Sequence, residues 1–346
     1  MASYFKRPLM RAEQLEANKN KGLQAARAIA ALSVAYFHSY IALRAFPESS
    51  QVTLWPLKEW GFFGVNFFFA ISGYVICLVA SRPDFTIRSF VLKRIFRLYP
   101  MYIIAMTLVA LLIVSGQYRP ILLSNFLQSL TLLPMQDPPA YDVSWSMQRE
   151  VVFYGIAAVA VPTIGLSGLA VLLAGLAATG FVLGNPWTFQ IVSTTQSDFL
   201  AGVVAFLLRK HTSRLGFFLP LLIGLPGLWF TLSSNIAFGP SASMVFLVIA
   251  LTNLKLSWDS APARWLVAAG DASYSIYLLH LLTFIAMDEI AKLGQLPGWL
   301  CEPWRFTALL MCGLISYATW RMIERPFIRL GDALSGFKAR VQVAAE

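Results

Sequence analysis

Apolar residues fall along the chain in blocks of about the length that a membrane-spanning helix needs. Such a helix takes about 20 mostly apolar residues, and short polar or proline-containing segments separate the blocks here. The pattern predicts spans at residues 23–43, 60–80, 98–115, 149–165, 167–184, 197–208, 216–233, 237–253, 270–290 and 305–323. We therefore predict an all-α polytopic membrane protein with about ten transmembrane helices.

The composition supports a chain that lies mostly in lipid. Apolar residues make up 58% of the 346 positions and charged residues 13%, against roughly 45–50% and about 25% in soluble domains. Nowhere along the chain does the composition change to that of a second domain. We expect a cytoplasmic N-terminal segment at 1–21, one transmembrane domain at 22–328 and a cytoplasmic tail at 329–346.

The positions of the basic residues predict the orientation. With both termini in the cytoplasm, 21 of the 27 Lys and Arg residues fall in inner segments and the other 6 in outer segments, as the positive-inside rule requires. The net charge of +10 then follows from the topology of a multi-pass protein of a bacterial inner membrane. It needs no nucleic acid as partner.

Two ionisable residues lie within the first predicted span. Arg27 and His38 are eleven positions apart, which is about three helical turns and about 16 Å of rise, so they share one face of the helix. Charged groups inside a membrane are candidates for function. The alternative interpretation is that Arg27 extends to lipid headgroups and that His38 is a hydrogen-bonded packing residue.

The third span begins with two arginines on one face. Arg94 and Arg97 are three residues apart near the cytoplasmic boundary. Two fork-shaped guanidinium groups suit a ligand rich in phosphate. The positive-inside rule accounts for basic residues at this boundary equally well.

A carboxylate and a second histidine complete the candidates. Glu150 begins the apolar run of the fourth span, where helix capping alone explains a carboxylate, and we expect it at the depth of His38 in the outer half. His280 ends the run GDASYSIYLLH, either as a second buried histidine or as an interhelical hydrogen-bonding group. The three cysteines are widely spaced, so no metal site is predicted.

Six motifs occur in order over residues 22–328. They are Arg27 followed by His38, FFFAISGYVI, RIFRLYP, SWSMQREVVFY, GDASYSIYLLH and the terminal ERP. Together they resemble the membrane-bound acyltransferase family 3. Because only about twenty residues follow ERP, the chain looks like the compact, single-domain members that modify exopolysaccharide or glycolipids.

The resemblance implies a reaction and a set of roles. His38 would be the catalytic histidine, with Glu150 beside it in the catalytic set, and Arg94 and Arg97 would belong to the site of an acyl-CoA donor, expected to be acetyl-CoA. Arg27 could contact the same donor. The acceptor would be a hydroxyl of an extracytoplasmic or lipid-linked carbohydrate. The competing class is a transporter or flippase, in which Arg27, His38 and Glu150 would form a proton or substrate pathway.

Overall fold

The computed structural model describes residues 20–42, 54–186, 190–255 and 257–335. Within these ranges the chain is almost entirely helical and contains no β-strand. The α-helices are α1 (Lys21–Ala42), α2 (Trp55–Trp60), α3 (Gly64–Ala80), α4 (Ile87–Val114), α5 (Leu123–Ser129), α6 (Trp145–Val182), α7 (Gln196–Thr212), α8 (Phe218–Ser233), α9 (Gly239–Thr252), α10 (Ala261–Asp271), α11 (Ser273–Gly294), α12 (Cys301–Thr319) and α13 (Arg325–Leu334). Residues 1–19 and 336–346 of the predicted terminal segments lie outside these ranges.

Four helical stretches are long and apolar enough to cross a membrane. In the described part of the chain they run over Trp55–Ala80, Ile87–Val114, Asp142–Val182 and Gly298–Leu334. Many large apolar side chains point outward from the bundle, among them Val114 at 87% exposure, as is expected of surfaces that face lipid. The chain is therefore an all-α membrane protein.

Helix α6 is interrupted near its middle. Gly165 has φ 71° and ψ −178°, which is not helical, and a side chain at this backbone conformation would be strained. A straight helix over Asp142–Val182, 41 residues long, would extend about 61 Å, twice the roughly 30 Å of a bilayer core. The interruption lies where the apolar pattern separates the fourth and fifth predicted spans.

Helices α3 and α7 cross in close backbone contact. A Cβ atom added at Gly202 would lie 1.8 Å from the carbonyl oxygen of Ala70, and one added at Gly73 would lie 2.1 Å from that of Phe199. The Phe199 ring packs between Phe69 of α3, at 4.6 Å, and Phe153 of α6, at 4.1 Å. Small residues at membrane helix crossings permit such an approach, so the glycines fix how near α3 and α7 lie.

Helices α3, α7 and α9 have their first turns together at one end of the bundle. The first turns of α3, α7 and α9 meet where Asp198 accepts hydrogen bonds from Asn66 and Ser241, both at 2.7 Å. The last turns of α7 and α9 meet where Asn253 Nδ2 donates to the Thr212 carbonyl at 2.9 Å. These three helices therefore run in the same direction through the bundle.

The apolar pattern does not predict four short helices as separate elements, because each is too short or too polar to form a block. They are α2, α5, α10 and α13. Helix α13 follows a π-helical turn, Trp320–Glu324, and continues the last predicted span. It packs on α4, where Lys93 and Asp332 form a 3.3 Å ion pair. This contact holds the C-terminal helix against the helix that carries Arg94 and Arg97.

The crossing of α3 and α7 gives a test of the packing. The change Gly202→Ala forces the two backbones apart, and overpacking of this kind costs roughly 1–3 kcal/mol, so the unfolding temperature in detergent should fall by several degrees. The control Gly175→Ala adds a Cβ that meets no atom within 4 Å and should hold or raise that temperature. Unfolding of the Gly202→Ala variant at the parental temperature would contradict the close crossing.

Candidate active site

Four of the five predicted site residues line one internal cavity. Arg27, Arg94, Arg97 and Glu150 face a space of about 110 Å³ that is lined by residues of α1, α3, α4, α6 and α11. They come from three different helices, and only folding brings them together. The cavity is a candidate ligand site because ionisable groups converge there inside a membrane protein.

Glu150 is connected to Arg94 through a tyrosine. Its Oε1 accepts a hydrogen bond from Ser72 Oγ at 2.8 Å and another, short one from the Tyr154 hydroxyl. Arg94 Nη1 lies 3.4 Å from that hydroxyl, and its guanidinium lies 4.7 Å from the centre of the Tyr154 ring. Glu150 thus helps to hold Tyr154, which in turn supports the Arg94 side chain at the cavity.

Arg27 and Arg97 are available to a ligand. Neither makes a hydrogen bond or an ion pair with any residue that the structure describes, although both line the cavity. Their charges repel each other, while Glu150 and Glu324 attract Arg27. Three guanidinium groups face one carboxylate at the cavity wall, so the space favours an anionic group.

Glu324, the first residue of the terminal ERP motif, acts on the cavity arginines through its charge. It lies in the π-helical turn, is 1% exposed and accepts a hydrogen bond from Ser275 Oγ at 2.7 Å. The charges of Arg97 and Arg27 both act on it. The ERP motif marked this residue in the sequence. The π-helical turn that points its side chain into the bundle is seen only in the structure.

His38 lies away from the arginine cavity and contacts His280. Its Nδ1 is 3.0 Å from the Val34 carbonyl oxygen and 3.2 Å from His280 Nε2. His280 is fully buried, and its Nδ1 is 2.6 Å from the Tyr277 carbonyl oxygen. His280 is therefore both a buried histidine and an interhelical hydrogen-bonding group, the two interpretations that its sequence left open.

These contacts determine the tautomers of the neutral pair. A carbonyl oxygen only accepts, so His280 carries its proton on Nδ1 and presents a lone pair at Nε2. His38 Nδ1 then faces two acceptors, the Val34 oxygen and His280 Nε2, and must carry the proton. The lone pair of His38 is consequently on Nε2, where a neutral imidazole can accept a proton from a substrate.

The structure brings His280, rather than Glu150, into contact with His38. Among the described residues no hydrogen bond joins His38 to Glu150, whose partners are Ser72 and Tyr154. The connection between the histidine pair and the cavity runs through Tyr277, which lines the cavity and also accepts the His280 hydrogen bond on its carbonyl oxygen. Helix spacing showed that Arg27 and His38 share a face, but it could not identify a partner 242 residues away.

Comparison with known proteins establishes the family. The chain belongs to the family described as the acyltransferase domain, whose model matches residues 20–320. It is thus an acyltransferase enzyme, and the resemblance seen in the motifs is confirmed.

One curated relative is similar over most of the chain. It is the exopolysaccharide production protein ExoZ of Rhizobium meliloti (strain 1021), which is 29% identical over 298 residues that cover 78% of this chain and 90% of the relative. No solved structure matches the chain.

Proposed function

We propose that the protein is an O-acyltransferase that moves an acyl group, with acetyl as the expected one, from cytoplasmic acyl-CoA to a hydroxyl of an extracytoplasmic or lipid-linked carbohydrate. The observation that carries the proposal is the pairing of an arginine-lined cavity with a histidine whose Nε2 is free to act as a base. The name of the ExoZ relative, an exopolysaccharide production protein, supports a carbohydrate acceptor.

The arginine cavity is the proposed donor site. Coenzyme A carries a diphosphate and a further phosphate, and arginine binds phosphate oxygens through paired N–H groups. Arg27, Arg94 and Arg97 supply three such groups at one cavity. Arg27 and His38 share a face of α1 about 16 Å apart, a distance that the extended arm of coenzyme A can span.

His38 is the proposed general base. Its Nε2 takes the proton from the acceptor hydroxyl as that oxygen attacks the thioester carbonyl carbon. The tetrahedral intermediate collapses with cleavage of the carbon–sulfur bond, and the protonated His38 returns the proton to the departing thiolate. The products are the carbohydrate ester and free coenzyme A, with His38 neutral again.

His280 and Glu150 are positioning residues in this proposal. His280 accepts from His38 Nδ1–H and so keeps the His38 lone pair on Nε2, the task that a carboxylate performs in serine hydrolases. Glu150 acts through Tyr154 on Arg94 and thereby organises the donor cavity.

The proposed topology has ten membrane crossings, both termini in the cytoplasm and insertion in a bacterial inner membrane. It is supported by the excess of basic residues in the inner segments and by the grouping of the first turns of α3, α7 and α9 at one end of the bundle. His38, near the C-terminal end of α1, then belongs to the outer half.

The donor site is tested by replacing Arg94 and Arg97 together with lysine. Lysine keeps the charge but loses the paired N–H groups, and charge-assisted hydrogen bonds contribute about 1.5–3 kcal/mol each. Binding of a non-hydrolysable acyl-CoA analogue to the purified protein should therefore weaken at least about tenfold. Lysine at Arg209, an equally basic position outside the cavity, should leave binding unchanged. Parental affinity of the double variant would show that these arginines serve topology alone.

The histidine pair is tested by steady-state kinetics. His38→Gln should lower the transfer rate about 10²–10⁴-fold while the donor analogue still binds. His280→Phe removes one neutral hydrogen bond, about 0.5–1.5 kcal/mol, and should lower kcat about 2- to 10-fold with little change in KM. His280→Gln retains an acceptor and should recover part of that loss.

The control for the histidine variants is His211→Gln, at an exposed position in the last turn of α7, which should act like the parent. Near-parental turnover by His38→Gln would refute the base assignment. An acyl group found covalently attached to His38 would refute direct transfer.

The topology is tested with reporter fusions. Reporters in the segments near Gln117 and Lys292 should read outside the membrane, and those near Asp84 and Arg209 should read inside. Nine of the ten predicted spans precede Lys292 and place it on the side opposite the cytoplasmic N-terminus. A cytoplasmic signal at Lys292 would therefore contradict the model of ten crossings.

A further inference from the structure

A second cavity lies at the end of the bundle where the first turns of α3, α7 and α9 meet. It has a volume of about 410 Å³ and shares no wall residue with the arginine cavity. Both cavities border α3, which lies between them. The proposed function leaves this larger space without a role.

The floor of the second cavity is a buried polar network around Asp198. This carboxylate is 3% exposed, and its two oxygens accept from Asn66 Nδ2 and Ser241 Oγ, each at 2.7 Å. Ser197 Oγ lies 2.8 Å from Ser241 Oγ. A buried carboxylate is costly unless it is hydrogen-bonded, and each Asp198 oxygen keeps lone-pair capacity for one more donor.

Two amide groups at the wall have unused hydrogen-bonding capacity. Neither the Asn66 Oδ1 nor the side chain of Asn235 makes a hydrogen bond with any described residue, and both residues line the cavity. Asn235 has φ 50°, a left-handed conformation that asparagine tolerates. The cavity therefore offers donors and acceptors together.

An aromatic wall faces these polar groups. Trp60 lines the cavity, and its ring is held edge to face by Trp229, with ring centres 4.6 Å apart, and by Trp55 at 5.2 Å. Specific ligand sites combine aromatic walls with a few placed polar groups. A pyranose ring matches both features, because its hydroxyls donate and accept while its C–H face packs on an aromatic ring.

Other ligand classes fit the walls less well. A lipid chain would leave the Asn235 amide, the Asn66 Oδ1 and the remaining lone pairs of Asp198 without partners. A phosphate would meet the negative charge of the Asp198 carboxylate. A metal ion would find one carboxylate in the wall, with the Arg149 charge acting on it. A neutral polyhydroxy compound meets none of these penalties.

The cavity is close to the catalytic histidine. Phe62, at its wall, packs on Phe37 with ring centres 5.4 Å apart, and the Phe37 ring in turn lies 5.2 Å from that of His38. Only these two rings separate the cavity from His38 along this path.

We infer that the second cavity binds one sugar ring of the carbohydrate acceptor, adjacent to the unit whose hydroxyl is acylated at His38. The inference rests on the proposed function for the identity of that acceptor. Asp198, Asn66 and Asn235 bind the sugar hydroxyls, and Trp60 packs against its ring.

The test measures whether the purified protein binds neutral gluco- and galacto-oligosaccharides of one to four units. Binding is measured by tryptophan fluorescence and by saturation-transfer NMR. The parent should bind at least one member saturably. Asn235→Gly removes the amide and still permits the left-handed backbone, so affinity should fall about 5- to 10-fold. Asp198→Asn and Trp60→Leu should weaken binding at least as much.

The matched control is Gln295→Gly, an exposed polar residue at φ 48° remote from the cavity, which should bind like the parent. Each variant must also bind the acyl-CoA analogue with parental affinity, which shows that it is folded. No saturable binding by the parent at millimolar sugar, or parental binding by Asn235→Gly, overturns the inference. If the parent and the variants bind sugar in the expected pattern but the parent does not bind the acyl-CoA analogue, the inference stands. That result would count against the proposed function alone.

Discussion

The close crossing of α3 and α7 is the contact on which the rest of the arrangement depends. Because Gly73 and Gly202 carry no side chain, the two backbones meet directly, and α3 is held at the centre of the bundle. From there it presents Ser72 to Glu150 on one side and Asn66 to Asp198 on the other. A wider crossing would lengthen the hydrogen bond between Asn66 and Asp198 and would shift Ser72 relative to Glu150, so one packing contact affects the geometry of two polar sites.

Polar groups inside a membrane protein need partners, and the described helices supply them in two different ways. Glu150, Asp198 and Glu324 accept hydrogen bonds from hydroxyl or amide groups of neighbouring helices. Arg27 and Arg97 instead face a cavity and have no such partner among the described residues. The carboxylates are thus satisfied by hydrogen bonds, whereas the two guanidinium groups lack partners of opposite charge in direct contact within the described ranges. A multiply charged anion that binds in the cavity would supply those partners.

The sequence predicted the long apolar helices and the pairing of Arg94 with Arg97 because each rested on a local signal. Apolar block length places the membrane helices, and spacing along one helix places Arg94 with Arg97 and Arg27 with His38. The contact of His38 with His280, the inward turn of Glu324 and the network around Asp198 depend on residues far apart in the chain. Glu150 shows the limit most clearly. Its depth was inferred from its position in the helix, whereas its contact with Ser72 depends on how α3 packs beside α6.

The position of α3 between the two cavities has a consequence for how the reaction is organised. On the proposed function and the inferred sugar site, the donor and the acceptor approach His38 from two cavities that share no wall residue. Each can then bind before the other, both can be present together, and neither product must pass through the other's path to leave. Coenzyme A would remain on the side where it is made, so the membrane barrier is crossed by an acyl group alone.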